Sequence, residues 1–113
     1  MTFTKLDGLF CSFLELSITQ WTIVKAIWQN DAISATDIIE HYFSNHPNMS
    51  RASLQVALAK VRAKLALRGI LISTVYKFGY VMSGDGKAEL ERLENIFKRR
   101  LGTNEKIEED ENY

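Results

Sequence analysis

Apolar residues recur at helical intervals in several stretches of the chain, and each stretch follows a residue able to cap a helix. The first clear stretch predicts a helix over 19–29 with Thr19 as its N-cap. The apolar positions of this helix are Trp21, Val24, Ile27 and Trp28. A second helix is predicted to run to Phe43, because Ser34 is followed three residues later by Asp37, close to a capping box.

The third predicted helix is the longest and follows Ser50. Gly69 is placed to end it, and its apolar stripe consists of Leu54, Leu58, Val61 and Leu65. The side opposite this stripe carries small and basic residues and no acidic one. These residues are Ser53, Val56, Lys60, Ala63 and Lys64, with Arg51 and Arg62 on a flank.

A β-hairpin is predicted after the third helix. Two β-prone runs, 71–75 and 80–82, are joined by a short segment that contains Gly79. The connection that precedes the third helix, residues 44–48, contains Pro47 and is predicted to be a loop.

The two ends of the chain follow different patterns. Residues 1–16 fit either a helix or a buried strand, and the family resemblance described below favours the strand. After a Gly-containing break at 83–86, helical spacing returns over 87–101, with one face formed by Leu90, Leu93, Phe97 and Leu101. Residues 103–113 are acidic and nearly devoid of apolar side chains, which predicts disorder.

Charge is balanced over the whole chain but not along it. The 113 residues include 14 Lys and Arg and 14 Asp and Glu. No acidic residue lies between Glu40 and Asp85, an interval that contains Arg51, Lys60, Arg62, Lys64, Arg68 and Lys77. Ordinary soluble surfaces mix both signs, so this interval predicts one electropositive surface beside an acidic tail.

The residue content disfavours several classes of protein. Charged residues interrupt every apolar run well short of the roughly 20 residues of a membrane helix, so no membrane partner is expected. Cys11 is the only cysteine and cannot form an internal disulfide, and His41 and His46 have no partners at zinc spacing. No Gly-rich phosphate loop or Ser/His/Asp arrangement is present. We therefore expect a binding protein and not an enzyme, without metal or cofactor.

Two motifs at a fixed spacing resemble a known family of DNA-binding domains. Residues 61–65 read VRAKL and residues 72–80 read ISTVYKFGY. They resemble the LRxKL and IxTVxGxGY segments of the effector domain of OmpR/PhoB-type response regulators. Residues 16–20, LSITQ, stand where that family begins a helix with LTxxE. The resemblance covers residues 16–82 and implies an α+β, mainly α, winged helix-turn-helix with three helices and a C-terminal β-hairpin wing.

The sequence departs from the family pattern at the wing and at both ends. Tyr76 and Lys77 replace the Arg-Gly of the family's wing turn, which leaves Lys77 as the expected phosphate contact. Family domains begin with an antiparallel sheet, for which residues 1–16 are short, and this is the reason to favour a strand there. No receiver domain is recognised, so the resemblance implies a stand-alone effector. The C-terminal helix and the acidic tail are additions to the family pattern.

The resemblance and the charge pattern together predict a sequence-specific double-stranded DNA-binding transcriptional regulator of prokaryotic or phage type. Helix 50–68 is expected in the major groove, and wing 71–82 on the backbone or in the minor groove. The candidate DNA contacts are Arg51, Ser53, Val56, Ala57, Lys60, Arg62, Lys64, Tyr76 and Lys77.

These candidates have different expected roles. Base edges or adjacent phosphates are expected for Lys60, Lys64 and Ser53, and a thymine methyl for Val56 or Ala57. Phosphates alone are expected for Arg51, Arg62 and Lys77. Two readings stay open for Tyr76 and Phe78, which either stack on sugar or base edges or fill the groove between the wing and the third helix.

Protein partners are a second hypothesis. The alternative function is a winged-helix interaction module that binds RNA polymerase or a host regulator. In the resembled family the corresponding loop touches polymerase; here its predicted contacts are Ser44, Asn45, His46 and Asn48. The stripe Leu90, Leu93, Phe97 and Leu101 is predicted to mediate self-association as a homodimer, with docking on its own domain as the alternative.

The predicted organisation has three parts. Residues 1–83 form the winged-helix domain, 84–102 a C-terminal helix and 103–113 a disordered acidic tail. The first 20 residues lack the pattern of a secretory signal, so a cytoplasmic, nucleoid-associated location is expected.

Overall fold

Helices dominate the computed structural model, which describes the backbone of residues 3–112 and the side chains of residues 3–102. In chain order the elements of this part are α1 (Lys5–Leu14), α2 (Ile18–Trp28), α3 (Ala35–Tyr42), α4 (Arg51–Ala66), β1 (Ile72–Val75), β2 (Gly79–Met82) and α5 (Gly84–Asn112). The two strands pair antiparallel. The predicted α+β, mainly α class is confirmed at this level.

Serine residues begin the three central helices. The hydroxyls of Ser34 and Ser50 accept the backbone N–H three residues further on, as predicted. The N-cap of α2 is Ser17, and the prediction of Thr19 was wrong. Ser17 and Gln20 form a complete capping box, in which the Gln20 N–H donates to Ser17 Oγ (3.1 Å) and the Ser17 N–H donates to Gln20 Oε1 (3.0 Å).

Residues 5–14 form helix α1, so the strand favoured for this segment was wrong. A capping box starts the helix, because the Asp7 N–H donates to Thr4 Oγ1 (3.2 Å) and the Thr4 N–H donates to Asp7 Oδ2 (2.9 Å). Phe10 and Leu14, one helical turn apart, are both buried. A helix satisfies its backbone within the segment, whereas a strand needs a neighbouring strand, and the described sheet provides none here.

The apolar stripe of α4 lies in the centre of the domain, as predicted. Leu54, Leu58, Val61 and Leu65 are all buried, and α4 packs against both α2 and α3. Gly69 has a positive φ of 76°, and its N–H donates to the Ala66 carbonyl while the Ile70 N–H donates to the Leu65 carbonyl. This is the glycine-based helix ending that the sequence predicts.

Helix α5 docks on its own chain. Leu90, Leu93 and Phe97 are buried in the core, and the Phe97 ring meets the rings of Phe10 (5.1 Å between centroids) and Phe13 (5.7 Å). The structure therefore shows the alternative of docking within the chain, which removes these three side chains from any surface for self-association. The fourth residue of the stripe, Leu101, is half-buried.

The limits of α5 also differ from those predicted. The helix begins at Gly84, where the sequence suggests a flexible break, because Ser83 Oγ accepts the Gly86 N–H (3.0 Å). Its backbone continues to Asn112, which corrects the predicted disorder of 103–113 as far as 112. After Gly102 the chain has no Gly or Pro, and its Glu and Lys residues favour helix. The acidic side chains of this segment lie outside the described residues.

The hairpin is joined to the helices by a third stretch of extended backbone. Tyr80 in β2 and Ile33, just before α3, exchange two backbone hydrogen bonds of 2.8 and 3.1 Å. At Gly79 a Cβ would lie 2.3 Å from the Ile33 carbonyl oxygen, so only glycine fits this close approach. Strand β2 therefore lies between β1 and residue 33, and β1 is the outer strand.

Candidate nucleic-acid interface

The outer face of α4 is solvent-exposed along its length and carries no acidic side chain. Val56 is 60% exposed, and the other exposed positions include Arg51, Ala52, Ser53, Ala59, Lys60 and Ala63. Ala57, a candidate for a thymine methyl, packs partly buried against the core instead. The face is thus formed mainly by small residues, over which the backbone of another molecule can approach closely.

Three of the predicted basic residues are exposed and available to a partner. Arg51 is the first residue of α4, Lys60 lies in its middle, and Lys77 lies at the hairpin tip. Within residues 3–102 no carboxylate pairs with any of them. Among the described side chains, these three cations of the surface also have no hydrogen bond within the chain, which distinguishes them from Arg62, Lys64 and Arg68.

Arg62 is turned toward the hairpin. Its Nη2 donates to Thr74 Oγ1 of β1 (2.7 Å), and its guanidinium lies 5.6 Å from the centre of the Tyr80 ring. Arg62 is half-buried, and its Nε is buried without a hydrogen-bond partner. The residue predicted to bind phosphate therefore joins α4 to the hairpin.

Lys64 and Arg68, near the end of α4, are hydrogen-bonded to residues at the end of α1. Lys64 Nζ donates to the Glu15 carbonyl and to Gln20 Oε1 (3.4 Å). Arg68 Nη2 donates to the Phe13 carbonyl (3.0 Å), with its guanidinium 4.6 Å from the Phe13 ring centre. Both side chains donate to backbone carbonyls at the end of α1, and the structure does not bring Lys64 to the exposed face with Lys60.

The hairpin tip presents two aromatic rings to solvent. Tyr76 is 84% exposed and Phe78 is 67% exposed, so neither fills the groove between the wing and α4. A turn closes the tip, in which the Phe78 N–H donates to the Val75 carbonyl (3.0 Å) and Lys77 adopts a positive φ of 70°. Left-handed backbone of this kind favours glycine.

Tyr80, in the same hairpin, is buried, in contrast to Tyr76 and Phe78. It is 6% exposed, and Gln55 Nε2 donates to its hydroxyl. Sequence reasoning did not single out Gln55, although it lies two helical turns before Arg62 on the side of α4 that faces the hairpin. Gln55 and Arg62 thus both join α4 to the hairpin.

The loop predicted to contact a protein partner is exposed. Ser44, Asn45, His46 and Asn48 are all solvent-accessible, and the loop is anchored by the buried Phe43, whose ring lies 5.7 Å from that of His46. A cavity of about 150 Å³ lies beside it, with His41 and Tyr42 among its lining residues. The two histidines therefore share one surface depression.

A buried carboxylate lies under this cavity. Asp7 accepts the indole N–H of Trp21 (2.8 Å) and an ion-pair contact from Lys25 Nζ (3.0 Å). Burial opposes ionisation of Asp7, but hydrogen bonds from Trp21, Thr4 and Lys25 outweigh it and lower the pKa below the ordinary value of 3.8. These bonds join α1 to α2 through an ionised carboxylate.

The described residues also include one cluster of possible metal ligands and one free thiol. Asp37, Glu40 and His41 lie within 4.8 Å of one another but are all exposed on α3, as acidic groups commonly are without a metal. Burial raises the pKa of the Cys11 thiol, which keeps it protonated and weakly nucleophilic.

Comparisons of the chain with family models, with curated proteins and with solved structures return no match. Among the described helices, none combines the length and apolar content that crossing a membrane requires.

Proposed function

We propose that the chain is a winged-helix protein that binds double-stranded DNA in a sequence-specific manner and regulates transcription in a prokaryote or phage. The observation that carries the proposal is the exposed, acid-free face of α4, which carries Arg51 and Lys60, together with a hairpin tip that carries Lys77. DNA-binding surfaces combine such cations with a protruding helix.

The order of the elements supports a winged-helix arrangement. After α2, the chain passes through the extended residue Ile33, then α3 and α4, and then the hairpin that pairs back onto Ile33. In a helix-turn-helix the second helix of the pair is the one that enters the major groove, and here this is α4. With 16 residues, α4 is about 24 Å long, enough to follow the groove across several base pairs.

The outer face of α4 suits the floor of the major groove. Ala52, Ala59 and Ala63 allow close approach, and Val56 is placed to meet a thymine methyl. Lys60 reaches a base edge or an adjacent phosphate, while Arg51 and Lys77 bind phosphates on either side. Arg62 and Lys64, which are bonded within the chain, take structural roles in this proposal.

The test is the salt dependence of binding to random duplex DNA, measured by fluorescence anisotropy with the full chain. Three phosphate contacts predict a log–log slope of about −2.7, and Lys60→Ala reduces its magnitude by about 0.9. Arg92→Ala is the matched control, because it removes the same charge from α5, where Arg92 pairs with Glu89 (2.7 Å).

Equal slopes for the two variants and the unmodified chain would contradict the assignment of α4 as the recognition helix. Lys64→Ala adds a second control, since its ammonium is already bonded to Glu15 and Gln20. This variant is expected to keep the slope.

The alternative function, docking of RNA polymerase or a host regulator, is favoured by one observation. The exposed loop with His46 borders the cavity of about 150 Å³, which offers a partner both polar groups and a depression. In the anisotropy experiment a pure interaction module shows no binding to duplex DNA at any salt concentration.

A further inference from the structure

The hairpin tip exposes apolar surface that the fold itself does not use. The side chain of Phe78 is 67% exposed although it is wholly apolar, and Val75, at the other side of the turn, is also exposed. Tyr80, two residues further along the same hairpin, is buried in the core and is 6% exposed. The exposed ring of Phe78 is therefore accessible to another molecule.

The base of the hairpin is held rigidly, so the tip is presented in a fixed direction. Ile33 and Tyr80 exchange two backbone hydrogen bonds, and no side chain fits at Gly79 between them. Arg62 ties β1 to α4 through Thr74. A tip held at its base in this way loses little conformational freedom on binding.

The charge around the tip identifies the occupant as an anionic groove. Lys77 lies between the two aromatic residues, with its ammonium 5.7 Å from the centre of the Tyr76 ring. No acidic residue lies between Glu40 and Asp85, so the hairpin and α4 present only positive charge. An apolar ring beside a lysine matches a base step flanked by phosphates, whereas an apolar protein surface would leave Lys77 without a partner.

We propose that the tip enters the minor groove and that Phe78 inserts partly between two stacked base pairs, which bends the DNA. This inference rests on the proposed DNA-binding function. Phe78 acts as the wedge, because its ring is wholly apolar, while Tyr76 stays at the groove edge with its hydroxyl in water. Wedges of this kind unstack one step and bend the duplex by about 20° or more toward the major groove.

The energy needed to unstack a base step determines which DNA sequence is preferred under the wing. Pyrimidine–purine steps such as TA and CA/TG open most easily, so the preferred site contains one of them under the wing. This adds sequence selection at a position where no hydrogen bond reads a base edge.

The experiment measures the bend in a duplex recovered by selection from a random pool with the full chain. Energy transfer between dyes at the two ends reports the end-to-end distance, and 2-aminopurine beside the pyrimidine–purine step reports unstacking. The unmodified chain is expected to shorten the distance and raise the fluorescence. Phe78→Ala is expected to lose both signals and to weaken binding by about 5- to 150-fold, the range for loss of one stacked aromatic.

Two variants serve as controls. Phe78→Leu keeps an apolar wedge and is expected to keep the bend. Ile18→Ala removes an apolar side chain that is 60% exposed at the start of α2, away from the wing, and is expected to change neither signal. Circular dichroism confirms that the exposed substitutions leave the fold intact.

Binding without a bend, or a Phe78→Ala variant that bends as the unmodified chain does, overturns the wedge and leaves DNA binding in place. A Phe78→Leu variant as straight as Phe78→Ala also overturns it. Absence of duplex binding by the unmodified chain overturns the proposed function and the wedge together.

Discussion

Replacing Phe97 by alanine tests how strongly α5 is built into the domain. The Phe97 side chain is 4% exposed and packs edge-on against Phe10 and Phe13, with ring centroids 5.1 and 5.7 Å apart. Truncating a buried Phe to Ala costs about 3–5 kcal/mol, and the two ring contacts place this site in the upper half of the range. We expect the free energy of unfolding to fall by about 4 kcal/mol, a large part of the about 5–15 kcal/mol typical of a domain.

Urea unfolding followed by tryptophan fluorescence is a suitable assay. Trp21 stacks on Phe10 at 4.4 Å, so its emission reports the same cluster. Asn95→Ala is the matched control, because Asn95 is an exposed neighbour on the same helix and its substitution should change stability by less than about 0.5 kcal/mol.

The same assay separates docking within the chain from dimerisation. If α5 packs only on its own chain, the unfolding midpoint is the same at about 2 µM and about 200 µM protein, since only association makes stability concentration-dependent. A midpoint that rises with concentration would refute docking within the chain. A loss below about 1 kcal/mol in Phe97→Ala would refute the packing of α5 on α1.

Two further predictions concern groups held in unusual states. Asp7→Asn should lower the free energy of unfolding by about 2 kcal/mol at neutral pH. Because the pKa of Asp7 in the folded chain lies below 3.8, this contribution is complete above that pH and is lost as the pH falls through the folded-state pKa. Urea titrations should therefore show the two proteins converging only under acid conditions, and a constant difference would be evidence against the ionised network. Lys77→Gly should raise the free energy of unfolding by about 0.5–1 kcal/mol, because glycine adopts the left-handed backbone of residue 77 without strain. The same substitution should reduce the magnitude of the salt slope for DNA binding by about 0.9. A parallel fall in both quantities would be inconsistent with this account.

Local signals predicted the central helices and the hairpin. Ser34 and Ser50 cap helices through contacts three residues away, and Gly69 ends one through its own backbone geometry, so short sequence windows contain the information needed. The error at Thr19 is also local, because the capping box of Ser17 and Gln20 begins two residues earlier.

For the N-terminal segment, the family resemblance led to a wrong prediction. Its apolar positions fit a helix, and Thr4 with Asp7 matches a capping box, yet the resemblance favoured a strand. The apolar stripe of α5 was recognised correctly as a face in need of a partner. Periodicity alone could not show that the partner is α1, because which surfaces meet depends on how the whole chain is arranged.

The candidate interface was predicted least well, for a physical reason that changes how the proposed DNA complex works. A basic residue binds a phosphate only if nothing in its own chain holds it, and the partners of Lys64 and Arg68 lie 49 and 55 residues away in sequence. Six available cations would predict a salt slope near −5.4, whereas the three that are not hydrogen-bonded within the chain predict about −2.7. The expected salt dependence is thus halved, and in the proposed complex the small outer face of α4 and the exposed aromatics of the hairpin tip supply a larger share of the affinity. Contacts of that kind depend on base identity and on deformation of the duplex, so a surface with fewer cations favours discrimination between sites over non-specific binding.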